Sequence, residues 1–547
     1  MRNHPLQPLA LAVALIVAPV RPAAAQSSAG AQLLPGMGSY SHPIRTSSPE
    51  AQQYFDQGLA LLYNFNHAEA ERSFLKASEL DPTAPMPWWG VGIALGLNYN
   101  RDVTKLEGER LHRAYDAAQK AVALSRGGSP IEAALADALA TRYSIDPSAD
   151  PDALNRKYRT AMAEVHQRFP DDPEVATMYA DAVMNLRPWE LWAMDGTPQP
   201  DTPELVAVLE GVLRRYPDHP GANHYYIHAV EASPTPERAL ASAARLETLV
   251  PGAGHLVHMP THIYMHTGDV DRIAALNTKA AAADEHYFDL AKPEGVYPFM
   301  YYAHNLHFVM VGHLLTGRYE DSLAAATKIA DLAAPHVAEM APMVEWVMAL
   351  PTLAEVRFHK WAAILSSPRP PESETLVRAF DSYARAVALQ MTDKKTEAAA
   401  AAMTFEADRA KVKDEMLVVS FNSGPTVLAM LSHLLKGQLA GNMDEAVAHL
   451  EAAVAAQDAF HYDEPTALPW SIRETLGAVL LTAGRATDAE KVFRADLARN
   501  ARSGRALFGL MTSLEAQGRK EEAGLVRREY ESAWRLADAP LTVGALY

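Results

Sequence analysis

The chain of 547 residues is 49% hydrophobic and 21% charged, contains no cysteine and has a formal net charge of −17. The lack of cysteine excludes disulfides, zinc fingers, iron–sulfur clusters and thiol nucleophiles. The acidic balance argues against nucleic acid or an anionic membrane as partner, because their phosphates would repel it. Leu, Ala and Glu are abundant and alternating β-branched runs are scarce, so the composition predicts an all-α protein.

Positions 1–25 have the pattern of a signal peptide. Arg2 precedes an apolar run at Leu9–Val20, and three alanines end at Ala25. The run of about 12 residues is too short to span a bilayer but suits a secretory signal. No later apolar run reaches spanning length, so we expect no membrane insertion and a periplasmic or secreted protein, most simply in a bacterial periplasm. Residues 26–50 are rich in Gly, Ser and Pro and are predicted to be a flexible leader.

Residues 51–82 have the pattern of a helix, a turn, a second helix and a proline stop. Gly58 and Ala70 lack bulk where two antiparallel helices would cross, and Phe74 would fill the gap towards the next unit. This segment therefore predicts a helix hairpin that stacks on a following one.

Near the C-terminus the same residue types recur with a period of about 34 residues. The period relates Gly484 to Gly518 and Ala489 to Ala523. With the N-terminal hairpin, these positions resemble the tetratricopeptide-repeat (TPR) family, here as an exported bacterial member. The resemblance implies a right-handed superhelical solenoid of helix hairpins that holds its ligands on the concave face.

The repeat pattern is irregular in the centre of the chain. Residues 338–412 match it poorly, and a proline-rich break at Ser366–Glu372 interrupts them. We read one continuous solenoid, because each hairpin buries its apolar face only against its neighbours. The predicted segments are N-terminal TPR-like units at 51–217, histidine-rich units at 218–335, an irregular helical segment at 336–425, C-terminal TPR units at 426–534 and a tail at 535–547.

Histidines cluster in the middle of the chain, where 11 of the 21 lie between His219 and His313. His224 and His228 are spaced i,i+4, and the same pair recurs one repeat period later as His258 and His262. Because the offset equals the structural repeat, the four belong to equivalent positions on the first helices of adjacent units. The same rows also contain His255, His266, His304 and His307.

These rows predict a transition-metal site in the concave groove. Neighbouring helices pack about 8–10 Å apart and metal–nitrogen bonds are about 2.0–2.1 Å, so two i,i+4 pairs could supply four imidazoles to one ion. Six or more groove histidines could hold two ions. Nitrogen ligands suit copper, zinc or iron better than calcium or magnesium. Glu231 and Glu190 are candidate proton acceptors in a metal-dependent oxidoreductase or hydrolase.

Two other interpretations stay open at this point. The histidines could be inherited packing of a duplicated unit, although burying four unpartnered imidazoles would cost a few kcal/mol. Alternatively, the chain is a metal-free scaffold that binds a peptide, a protein or a small molecule in the groove.

Overall fold

The computed structural model describes residues 30–100 and 106–547. In these ranges the regular structure is almost entirely α-helical, and β structure is confined to one two-stranded antiparallel pair and an isolated bridge. This confirms the predicted all-α solenoid of TPR-like hairpins. The predicted signal peptide at residues 1–25 lies outside the described residues. Among the described helices, none combines the length and apolar character needed to cross a membrane.

Each helix packs chiefly against the helices before and after it in sequence, as in a stacked array. The first nine are α1 Pro49–Tyr63, α2 His67–Leu80, α3 Met86–Leu95, α4 Gly108–Ser125, α5 Pro130–Ala140, α6 Pro151–Arg168, α7 Pro173–Met184, α8 Thr202–Arg215 and α9 Pro220–Val230. The next nine are α10 Leu240–Leu249, α11 Gly254–His258, α12 Pro260–Thr267, α13 Asp271–Ala291, α14 Val296–Leu315, α15 Tyr319–Ala333, α16 Val337–Val344, α17 Leu350–Arg357 and α18 Trp361–Ser366.

The C-terminal part of the array is also helical. Its helices are α19 Thr375–Met391, α20 Lys395–Arg409, α21 Gly424–Leu439, α22 Met443–Asp458, α23 Ile472–Thr482, α24 Ala486–Leu497, α25 Gly504–Ala516 and α26 Lys520–Ala533. The strands are β1 Leu417–Val418 and β2 Asn422–Ser423, and short 3-10 helices lie at Pro236–Ala239, Ala334–His336, Glu345–Ala349 and Val543–Leu546.

The small and aromatic positions of the repeat act as the sequence predicts. Phe74 of α2 is fully buried between Gly58 of α1 and Gly90 of α3, and a Cβ at either glycine would overlap its ring. One aromatic side chain therefore joins two consecutive hairpins.

Phe493 of α24 occupies the same place in the C-terminal units. It is fully buried between Gly477 of α23, in its own hairpin, and Gly509 of α25, in the next hairpin. We expect Phe493→Ala to lower the free energy of unfolding by about 3–5 kcal/mol, because it leaves a cavity between two units. Urea or thermal unfolding would measure this. Met403→Ala, at a side chain that is 70% exposed, is the control and should shift stability by less than about 0.5 kcal/mol.

The central segment is irregular, as predicted. α16 has a non-helical residue at Met340 and carries Pro342 within it. The proline-rich break falls between the end of α18 at Ser366 and the start of α19 at Thr375. The apolar core divides into two clusters before this segment, at α14, which contributes side chains to both of them.

The N-terminal segment differs from the flexible leader that its composition predicts. Residues 30–48 contain no helix or strand, yet they are tied to the array at separate points. The Gly252 amide donates to the Gly36 carbonyl at 2.9 Å, and the Tyr40 hydroxyl donates to Glu174 Oε2 at 2.8 Å. Tertiary hydrogen bonds over such long sequence separations cannot be read from local composition.

Both ends of the array fold onto the histidine-rich units. From the N-terminal side, Asn64 after α1 accepts a 3.0 Å hydrogen bond from the Leu256 amide of α11. From the C-terminal side, Arg502 before α25 contacts Asp269 after α12 at 3.0 Å. Segments from both ends of the array therefore contact the histidine-rich units.

Candidate metal centre

Four helices carry the predicted metal ligands. α11 and α12 are two halves of one helix that is interrupted at Met259, because Pro260 has no N–H to continue the backbone hydrogen bonds. The ligands come in pairs: His224 and His228 from α9, His255 and His258 from α11, His262 and His266 from α12, and His304 and His307 from α14.

Six of these eight histidines form two groups of three. Within each group, one ligand nitrogen per residue lies within 4.8 Å of the others. The first triad is His224, His228 and His255, and the second triad is His258, His262 and His304.

The structure does not bring both i,i+4 pairs to one point, as the expectation of a four-imidazole site requires. Each pair instead takes its third histidine from the next unit along the chain. His255 lies one helical turn before His258 in α11. Its imidazole therefore lies closer to α9 and belongs to the first triad. His304 of α14 completes the second triad in the same way, so the arrangement favours two ions over one.

The two triads are copies of one design, displaced by one unit. Each consists of an i,i+4 pair plus a histidine of the following unit, and the two pairs are one repeat period apart. The rows of histidines end on both sides of the two triads, because the next equivalent positions carry other residues. Gly221 stands three residues before His224, where a side chain would overlap Tyr63, and Val311 stands four residues after His307.

Hydrogen bonds fix the imidazoles of the second triad. His258 Nδ1 lies 2.6 Å from Asn277 Oδ1. The Asn277 amide group donates to Thr261 and Ile273, so its oxygen must face the imidazole and His258 Nδ1 carries the proton. His262 Nδ1 lies 2.5 Å from Glu231 Oε2 and donates to that carboxylate. Both rings therefore present Nε2 lone pairs to the centre of the triad, as metal-binding histidines do.

Those lone pairs meet at short distance. His258 Nε2 lies 2.8 Å from His262 Nε2 and 3.1 Å from His304 Nε2. Two facing lone pairs repel each other unless a proton or a metal ion lies between them. A three-coordinate ion with bonds of about 2.0–2.1 Å would hold its nitrogens about 3.5 Å apart, so these two distances would have to lengthen by about 0.7 and 0.4 Å.

The first triad has the same kind of anchors. His224 Nδ1 lies 2.6 Å from the Tyr63 carbonyl, and His228 Nδ1 lies 2.8 Å from Glu231 Oε1. Four buried nitrogens of this triad have no hydrogen-bond partner among the described residues: His224 Nε2, His228 Nε2, and His255 Nδ1 and Nε2. Unpartnered buried nitrogens are costly, and one metal ion would satisfy three of these four, one from each histidine.

Glu231 links the two triads. Its two oxygens accept from His228 and His262, and the carboxylate is 1% exposed. Burial would raise the pKa of this carboxyl, but His228 and His262 hold it below its ordinary value. Burial also lowers the pKa of His262, yet the Glu231 carboxylate brings it above its ordinary value.

Four of the other imidazoles remain neutral. Burial lowers the pKa of His224, His255, His258 and His304 well below the ordinary value, and neighbouring imidazoles lower it further. Their lone pairs are therefore available for a metal ion at neutral pH.

Aromatic rings surround both triads. Phe65 lies 4.6 Å from His224, and Phe308 lies 4.6 Å from His258, measured between ring centroids. His304 is the partly exposed member of the six, so solvent reaches the second triad beside α14. Further rings around the triads are Tyr99, Trp189 and Tyr301, with Phe421 packed on Trp189.

Three predicted site residues lie elsewhere. Glu190 is exposed on the loop after α7 and belongs to neither triad. His307 turns from the second triad towards Trp346, with ring centroids 5.1 Å apart. His266 contacts Glu464 at 3.0 Å. Sequence spacing placed both histidines in the rows but could not show what long-range neighbours would face them.

The sequence analysis missed the residues that orient the ligands. Asn277 of α13 and the Tyr63 carbonyl hold His258 and His224. Asn277 is fully buried, and its only signal in the sequence is a polar residue on the apolar side of its helix. A backbone carbonyl leaves no signal.

No protein-family model matches the chain, and no curated protein matches it. Among solved structures it is similar to the human IFIT1 dimer with m7Gppp-AAAA, at 12% identity and a TM-score of 0.30 over 91% of this chain and 92% of that one. Yeast Tom70 gives 12% identity and a TM-score of 0.30 over 87% of this chain and 96% of that one. Similarity this low has no bearing on what this chain binds.

Proposed function

We propose that this protein binds two copper ions, one in each triad, and that the copper pair exchanges electrons with a small molecule such as dioxygen. The observation that carries the proposal is the set of buried, oriented and unpartnered imidazole nitrogens. As plain packing, the same arrangement would leave four buried nitrogens of the first triad without a hydrogen-bond partner.

The local charge favours copper over zinc or iron. Imidazoles that bind a metal ion are neutral, and Glu231 is the carboxylate that bonds to them. With the single negative charge of Glu231, two divalent ions would give this buried site a net charge of +3, whereas two cuprous ions would give it +1. Uncompensated buried charge is costly, so the reduced form of copper fits best. Non-haem iron sites commonly include a carboxylate ligand, and His228, Glu231 and His262 do form such a group, but both Glu231 oxygens there accept hydrogen bonds from imidazole Nδ1 atoms.

The surroundings favour oxidative over hydrolytic chemistry. Hydrolysis needs a general base near the metal-bound water. Both oxygens of Glu231 are engaged by imidazoles, and Glu190 is exposed outside the triads. Glu231 is therefore a positioning residue in this proposal.

The metal-free scaffold is the weaker alternative. A peptide in the groove at these units would have to displace Phe65 and Tyr301, whose rings pack against the histidines. We also propose that the protein acts in the periplasm or outside the cell, on the signal-peptide pattern of residues 1–25.

Metal analysis tests the proposal. The purified chain should bind two equivalents of Cu(I) without oxygen, and His258→Ala/His262→Ala should bind fewer. His286→Ala, at an exposed histidine of the same region, is the control and should bind two. A wild-type chain that binds neither copper nor zinc, with melting unchanged by either metal, would overturn the proposal. Two tightly bound zinc ions with no copper would also overturn it.

A further inference from the structure

A separate cluster of three side chains lies one turn along α12 from the second triad. His266 Nε2 is 3.0 Å from Glu464 Oε1 and 3.1 Å from the Tyr462 hydroxyl. The Tyr462 hydroxyl also contacts Glu464 Oε1. The cluster therefore joins one nitrogen and two oxygens from segments that are far apart in the sequence.

The loop that carries Tyr462 and Glu464 is held in place. Between them, Asp463 is 1% exposed and accepts from the Phe421 amide at 3.0 Å and from Asn422 Nδ2 at 3.1 Å. The His461 amide donates to Asn422 Oδ1 at 3.0 Å. The two oxygen donors thus face His266 from a loop pinned to the turn between β1 and β2.

The oxygen donors of this cluster suit an ion of higher charge than the imidazoles of the two triads suit. We propose that His266, Tyr462 and Glu464 form a third metal site, which binds ferric iron through imidazole, phenolate and carboxylate. Octahedral bonds of about 2.0–2.1 Å at right angles place neighbouring donors about 3 Å apart. Both distances from His266 match this value, whereas the Tyr462 hydroxyl and Glu464 Oε1 are in closer contact and would have to separate around an ion. Phenolate and carboxylate oxygens are hard donors, which suit a trivalent ion better than cuprous copper.

Two further observations support a cation here. Glu464 Oε2 is buried and has no hydrogen-bond partner among the described residues, so a second carboxylate oxygen is available. On binding, the phenol would release its proton to solvent. The side chain of His266 is 26% exposed, which gives the ion a way in.

Absorption spectroscopy of the full chain tests this site independently of the copper proposal. Ferric iron bound to a phenolate gives a charge-transfer band in the visible, which imidazole ligands alone do not. We expect wild-type protein with added Fe(III) to develop this band at one equivalent. Tyr462→Phe should lose it while still binding two equivalents of copper. Tyr216→Phe, which removes a phenol from the exposed end of α8, is the matched control.

The outcomes separate the two proposals. A band that persists in Tyr462→Phe, or no band and no bound iron in a folded wild-type chain, would overturn the third site. Glu464→Gln keeps the shape of the side chain and should weaken iron binding at least tenfold; an unchanged affinity in this variant would also count against the site. Loss of copper binding with a normal iron band would overturn only the copper proposal.

Discussion

The His255→Ala variant is expected to bind one copper ion per chain where the wild type binds two. His255 completes the first triad and takes no part in the second, so its loss leaves His224 and His228 as an incomplete pair. Two imidazoles hold an ion far less tightly than three. We expect a drop in affinity at this site greater than the 10–100-fold that follows loss of an outer-shell partner.

The His304→Ala variant should give the complementary result. It removes the third ligand of the second triad and leaves the first intact. Titration with Cu(I) against a competing chelator would measure one retained site in each variant and none in the double variant. His286→Ala should behave as wild type. If either single variant lost both ions, or if both retained two, the division into separate triads would be wrong.

Replacement of Glu231 by glutamine should weaken both sites together. The carboxylate accepts from His228 of one triad and His262 of the other. An amide can accept with its oxygen but presents its NH2 group to the second imidazole, so at least one ring loses its orientation and both lose the nearby negative charge. We expect copper affinity to fall about 10–100-fold at each site.

Asn277 offers a matched comparison for this prediction. It bonds only to His258 among the six triad histidines, so Asn277→Leu should weaken the second site and spare the first. The same chelator titration measures both variants, with melting curves to confirm folding. A Glu231→Gln variant that weakens only one site would show that the carboxylate does not link the triads.

Much of the fold follows from local sequence. Small residues at Gly58 and Gly477, with Phe74 and Phe493 opposite them, dictate close helix packing, and the repeat period sets the register. The path of residues 30–48 could not be predicted in this way, because hydrogen bonds to distant units fix it.

As with the fold, the sequence predicts the local part of the site but not its long-range contacts. Repetition of the i,i+4 pair after one repeat period identifies the helices and the facing residues. It does not tell which histidines share an ion, because that depends on the stagger between α9 and α11. His266 has the same spacing in sequence as the ligands, but Tyr462 and Glu464 reach it from the C-terminal units. Such contacts depend on how the C-terminal units pack against the histidine-rich units.

The displacement of the two triads by one unit has a consequence for how such a protein gains or loses sites. Neither triad belongs to a single repeat, because each one straddles a junction. Three successive histidine-bearing units thus yield two sites, and inserting a fourth of the same kind would yield three. Deleting the middle unit would join the outer two and leave one site. If the triads bind metal as proposed, the number of ions therefore equals the number of junctions between histidine-bearing units.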